Sequence, residues 1–158
     1  MYTTVIFLHS LIRWAALGAG VFAAIRGISG WRSGRPWTLA DDRAALWFTS
    51  ALDLQLLLGL LMYFWLSPVT TKALHDFGAA MSNGGLRFWA IEHPFGMILG
   101  IAFAHIARGR LKGMASGINN DARRHRTAAI FFTLALLVII ASIPWPGSPN
   151  ARPLLRTW

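Results

Sequence analysis

Three ionisable side chains, Arg13, Asp53 and Glu92, and three histidines, His9, His93 and His105, fall inside or beside long apolar stretches of this chain. A charge near the middle of a bilayer costs about 2.5–3.5 kcal/mol on insertion scales, so each is a candidate for function. At about 1.5 Å of helix rise per residue, Arg13 and Asp53 lie about 18 Å and about 20 Å from the same side of the membrane. They would form one ion pair across two helices, either locking helix register or serving a catalytic or proton-relay role. Gln55 lies near the same depth and would hydrogen-bond between helices, and Glu92 would be a further member of this buried polar group.

The histidines carry more chemistry. His9 and His93 each sit about 12 Å below the outer end of a span, on helices that run in the same direction. Two imidazoles at equal depth on parallel helices of a four-helix bundle are what axial ligation of a b-type haem iron requires. Arg13, one turn from His9 on the same face, would then meet a haem propionate, or else Asp53 or Glu92. Gly96, Gly100 and Ala104 follow His93 at four-residue spacing. Such a face either leaves room for a flat macrocycle or lets another helix approach closely. Pro94 would loosen the helix at His93 and aim the imidazole inward. Trp89 and Trp14 would pack on a ring edge or anchor the span ends. His105 has no partner at its depth in the first span, and His125 lies in the basic run 123–126 and reads as a surface residue. One haem is therefore supported and a second is not. Two other ligands suit the same residues. A metal ion on His9, His93 and Glu92 lacks a clear further ligand. A quinone would have its carbonyls bonded by His, Arg and Asp in an apolar cleft.

These residues need a membrane scaffold to hold them. Of 158 residues 55% are hydrophobic and only 13% charged, with a mean hydropathy of +0.48. A soluble domain would carry about a quarter charged residues. The length suits one domain, and the absence of cysteine excludes disulfides, iron–sulfur clusters, c-type haem attachment and thiolate zinc sites. Apolar stretches at about residues 3–25, 44–66, 87–107 and 127–144 are each near the ~20 residues needed to cross ~30 Å of hydrocarbon. The expected fold is all-α, an up-and-down four-helix transmembrane bundle. No basic segment precedes the first apolar run and Arg13 lies inside it, so a cleaved signal peptide is not expected.

The net charge of +9 is explained by topology and anionic lipid, without nucleic acid. Arg26, Arg32, Arg35 and Arg43 fall in the first connection, and Arg108, Arg110, Lys112, Arg123, Arg124 and Arg126 in the third. Against them stand Lys72, Arg87, Arg152 and Arg156. Positive-inside counting puts connections one and three in the cytoplasm and both termini outside. The second connection, residues 67–85, opens with Ser67-Pro68 and closes with Asn83-Gly84-Gly85. Leu74, Phe77, Gly78 and Met81 follow helical spacing between these turn signals, which predicts a short amphipathic helix on the outer interface. The tail after Pro146, with Leu154, Leu155 and Trp158, would lie along the same interface.

The chain resembles a family of short four-span bacterial membrane proteins often labelled cytochrome b-like. The likeness runs through Leu8-His9-Ser10-Leu11-Ile12-Arg13-Trp14, Asp53-Leu54-Gln55-Leu56-Leu57-Leu58-Gly59, Leu86-Arg87-Phe88-Trp89-Ala90-Ile91-Glu92-His93 and Ile143-Pro144-Trp145-Pro146. It covers nearly the whole length. In that family the position of Asp53 can carry histidine, so a third candidate ligand is absent here. The resemblance implies a haem b, a bacterial inner membrane and a multi-pass topology. The leading expectation is thus an electron-transfer subunit with His9 and His93 as iron ligands, Arg13 on a propionate, and Trp89, Gly96 and Gly100 beside the ring. It would need a redox partner or other membrane subunits. The rival expectations are a cofactor-free accessory subunit of a respiratory or photosynthetic complex, and a quinone-binding, proton or solute pathway through Asp53, Gln55, Arg13 and Glu92. No motif for a nucleophile, nucleotide or phosphate is visible, so stand-alone catalysis is not expected.

Overall fold

The computed structural model describes residues 1–114 and 118–155, and among these every regular element is a helix. Helix α1 spans Tyr2–Ser33 and α2 spans Leu39–Leu61, the latter continuing as a π-helical turn over Met62–Leu66. Short helices α3 (Pro68–His75), α4 (Phe77–Ser82) and α5 (Gly84–Arg87) follow. A second π-helical turn, Phe88–Glu92, leads into α6 (His93–Gly113), and α7 covers Ile118–Ser142. Four of these stretches are long and apolar enough to cross a bilayer. In a chain whose lipid-facing surface must satisfy its own backbone, a helical bundle is one of only two spanning solutions.

The helices form a ring in which α1 packs on α2 and α7, and α6 packs on α7 and α2. Consequently α1 and α6 face each other across the diagonal. Contact between α2 and α6 is the sparsest of the four neighbouring pairs. The core is built from small residues and a few rings, with Phe48 and Phe132 edge to face at 5.5 Å in its middle. At about 1.5 Å per residue, the 32 residues of α1 make a rod of about 48 Å, longer than the ~30 Å hydrocarbon layer. The helices therefore run past the apolar stretches and carry much of the basic sequence near their ends, the last turns of α1 and α6 and the early turns of α2 and α7.

That basic end is held by an ionic cluster. Asp41, 2% exposed, accepts from Arg26 Nε at 2.8 Å and from Arg35 Nη2 at 2.7 Å. Its other oxygen accepts from the backbone N–H and hydroxyl of Thr38, which starts α2. The bond to Asp41 raises the Arg35 guanidinium above its ordinary range. Asp42 reaches Arg124 at 3.3 Å and Arg108 at 3.7 Å, tying α2 to α6 and α7. The turn from α1 is possible because Gly34 takes the left-handed conformation, φ 65°, and donates to Gly30 O.

Two expectations are corrected in this frame. His125 is not on the surface. It is 0% exposed and packs on Gly30 of α1 and on Trp37, 4.9 Å between ring centroids. The basic run continues α7 rather than ending in a loop, which turns this one residue inward. The second connection is not one amphipathic helix but three short ones. Ser67, Asp76 and Asn83 each cap the next helix, their side-chain oxygens accepting from Thr70, Ala79 and Leu86 N–H. Such local bonds compete with continuing the helix. The buried residues there are Ser67, Thr70, Ala73 and Ala80, while Leu74 and Phe77 face outward. The tail turns back over α1, where Leu154 O accepts from Arg13 Nη2 and from Trp14 Nε1. Arg156 and Trp158 lie outside the described residues.

Candidate functional site

A cavity of about 340 Å³ opens inside the bundle at the end opposite the ionic cluster. That volume falls within the ~300–1,000 Å³ typical of small-molecule sites. Its wall is largely apolar, with Phe48 and Leu52 toward the bundle centre and Met97, Ile98 and Ile101 from α6. Both π-helical turns contribute, through Met62, Tyr63 and Phe64 from one and Trp89 from the other. Tyr63 donates its hydroxyl to Ala90 O at 2.9 Å, joining the two turns. Turns of this kind widen a helix by one residue and re-aim the side chains that follow.

His9 and His93 both line this cavity, one from α1 and one from α6. Because those helices stand diagonally, the two rings approach the interior from opposite walls. His93 follows directly on the second π-helical turn and precedes Pro94, and its own N–H reaches back five residues to Phe88 O. Its ring is packed against Phe88 and Trp89, with centroids at 5.9 and 5.5 Å. Nδ1 of His93 bonds Ser142 O at 2.8 Å. A carbonyl oxygen only accepts, so Nδ1 carries the proton and Nε2 of the neutral ring keeps its lone pair. A ring nitrogen with its partner fixed by a backbone carbonyl is the usual arrangement of a metal-ligating histidine.

Around His9 several polar atoms are buried without a protein partner: its own Nδ1, Nε of Arg13 and Oε1 of Gln55. Gln55 Nε2 meanwhile donates to His9 O at 2.9 Å, fixing α2 against α1. Arg13, Gln55 and Gly59 also line the cavity. Gly59 is the glycine nearest His9, and a Cβ there would meet His9 Cε1 at an ordinary 3.6 Å. Buried polar groups are normally bonded, so three unmatched atoms on residues that line one apolar cavity make this wall the candidate for a polar ligand.

Other expected members of the site lie elsewhere. Arg13 and Asp53 do not pair. Asp53 bonds His105 Nε2 at 2.7 Å, with both side chains about half exposed on the α2–α6 flank. Glu92 turns outward to Arg87 Nε at 2.8 Å and is likewise half exposed. Equal depth did not bring these carboxylates to Arg13 because depth says nothing about the angle at which a side chain leaves its helix. The Arg13–Asp53–Glu92–Gln55 group is thus split, and only Arg13 and Gln55 reach the cavity. Gly96 and Gly100 are also not cavity residues. A Cβ on Gly96 would strike Ser142, and one on Gly100 would come within 2.5 Å of Ile139 Cγ1. They let α6 close on α7, the second of the two readings of a small-residue face. Among the described residues no three His, Cys, Asp or Glu side chains are grouped to hold a metal ion, and Glu92 does not join His9 and His93.

Several lining residues were not foreseen. Tyr63 and Gly59 carry only weak local signals, and Arg152 and Pro153 reach the cavity because the tail folds back, which no local pattern announces. Trp14 packs on Trp145 at 6.2 Å rather than in the cavity. Comparison of the chain with protein-family models, with curated proteins and with solved structures finds no match.

Proposed function

We propose that this chain is a small b-type cytochrome-like electron-transfer subunit of a bacterial inner membrane, with both termini outside. The observation that carries the reading is that two imidazoles from diagonal helices line one apolar cavity, with orphaned polar atoms beside one of them. The residues present fit a haem b. His9 and His93 would hold the iron, the second already oriented by Ser142 O. Arg13 would face a propionate, since its Nε lacks a partner and a guanidinium binds carboxylates strongly. Phe48, Leu52, Met97 and Ile101 keep water from the interior, and Trp89 buttresses the His93 ring. When bound, the group would supply one-electron chemistry. Little of the described chain lies outside helices, so a separate redox partner would deliver or take the electron. The asymmetry of basic residues supports the orientation.

The test is an absorption spectrum of detergent-purified protein, oxidised and reduced, from cells supplied with haem. A Soret band that disappears in His93→Ala is expected. A colourless, folded protein overturns the reading. One observation favours a quinone as the second reading: His9 Nδ1 and Arg13 Nε are donors for a quinone carbonyl, and Gln55 Oε1 an acceptor for the hydroxyl of the reduced form, in the wall of an apolar cavity beside the loosely packed α2–α6 seam. Organic extraction of the colourless protein would then yield a quinone.

A further inference from the structure

Next to the apolar cavity lies a second, more open pocket of about 360 Å³, between α3, α5 and the returning tail. Val69, Trp89 and Arg152 line both, so the two adjoin. Their chemistry differs. The second pocket presents Lys72, Asn83, Asn150 and Arg152, and no Asp or Glu among its described lining. These side chains come from three places held independently. Lys72 is in the last turn of α3, Asn83 caps α5 through Leu86 N–H, and the tail is pinned where Arg152 N–H donates to Pro144 O at 3.3 Å. The guanidinium of Arg152 lies over the Trp89 ring, 5.2 Å from its centroid, which positions the fork while leaving its N–H edge for a ligand.

We infer that this pocket is an oxyanion site that takes a phosphate group between Lys72 and Arg152. Two cations of different kinds, one a point charge and one a planar fork, line one polar pocket whose described lining holds no carboxylate. The pocket stands where the α2 and α6 spans end, the level at which a bilayer carries its phosphates. The group therefore comes from a lipid headgroup or from free phosphate. The inference uses neither histidine and stands whether or not the neighbouring cavity holds haem.

The experiment has two arms on the full chain. Inorganic phosphate is titrated into protein in an uncharged detergent and followed calorimetrically. Phosphatidylglycerol is doped into nanodiscs, and retained lipid is read by native mass spectrometry. Binding in at least one arm is expected, weakened about tenfold or more in the double variant Lys72→Gln/Arg152→Gln. Lys112→Gln, at the far end of the bundle, should bind as wild type. Binding only in the lipid arm identifies the headgroup as the source, and binding of inorganic phosphate identifies the free anion. Lys72 is exposed, so Lys72→Gln alone keeps the fold and gives a smaller loss if the double variant does not accumulate. No binding in either arm, or equal binding by wild type and Lys72→Gln, overturns the inference.

Discussion

The two ends of this bundle use the same residue types in opposite ways. At the basic end Arg26, Arg35 and Thr38 all close on one carboxylate, Asp41, and His125 is packed tightly against Gly30, although its ring nitrogens and Trp37 Nε1 are unmatched there too. At the other end His9, Arg13 and Gln55 leave polar atoms unmatched around an open space. Cations that share a buried carboxylate make a fastening, whereas unmatched polar side chains beside an open space leave bonding capacity for something else. An arginine or histidine in a span therefore does not mark function by its presence. What distinguishes the two ends is a shared buried carboxylate at one and an open apolar space at the other.

This contrast predicts unequal responses to substitution. Asp41→Ala should be the most damaging, lowering stability by about 3–5 kcal/mol because it leaves two guanidinium groups without their shared partner. Thermal unfolding in detergent would show it, and a variant as stable as wild type would mean that the cluster is only surface decoration. Gly30→Ala follows, at about 1–3 kcal/mol, since the added methyl would overlap the His125 ring. Gly59→Ala beside His9 should stay within about 0.5 kcal/mol in the same assay, as its methyl meets only an ordinary contact. Equal effects of the two glycine substitutions would erase the difference between a packed end and an open one. His93→Ala should cost about 1 kcal/mol for the lost bond to Ser142 O, far less than Asp41→Ala, while abolishing any Soret band. A small effect, comparable to that of Gly59→Ala, is expected for Asp53→Asn. Its bond to His105 lies on the flank, and interhelical bonds in membranes average about 0.6 kcal/mol.

The four spans and the helical class could be read from the chain because hydrophobicity over some twenty residues is a one-dimensional quantity and lipid imposes it directly. Depth is also one-dimensional, so His9 and His93 could be singled out by counting. Azimuth was harder. Asp53 is adjacent to Leu52, which lines the cavity, yet it points to the flank and bonds His105. Gly96 and Gly100 share a helix with His93 but face α7. The short-helix region misled for a different reason, since Asp76 and Asn83 act through hydrogen bonds to particular N–H groups rather than through periodicity.

From composition and spacing alone follow the lipid solvent, the number of crossings and the level at which each polar residue sits, since each of these is a sum along the chain. Which histidine meets a cavity and which is walled in, which carboxylate has a cation, and how the tail brings Arg152 beside Trp89 depend on residues far apart in sequence. Those pairings arise only when α1, α2, α6 and α7 settle at particular rotations about their axes, and close packing of side chains sets those rotations.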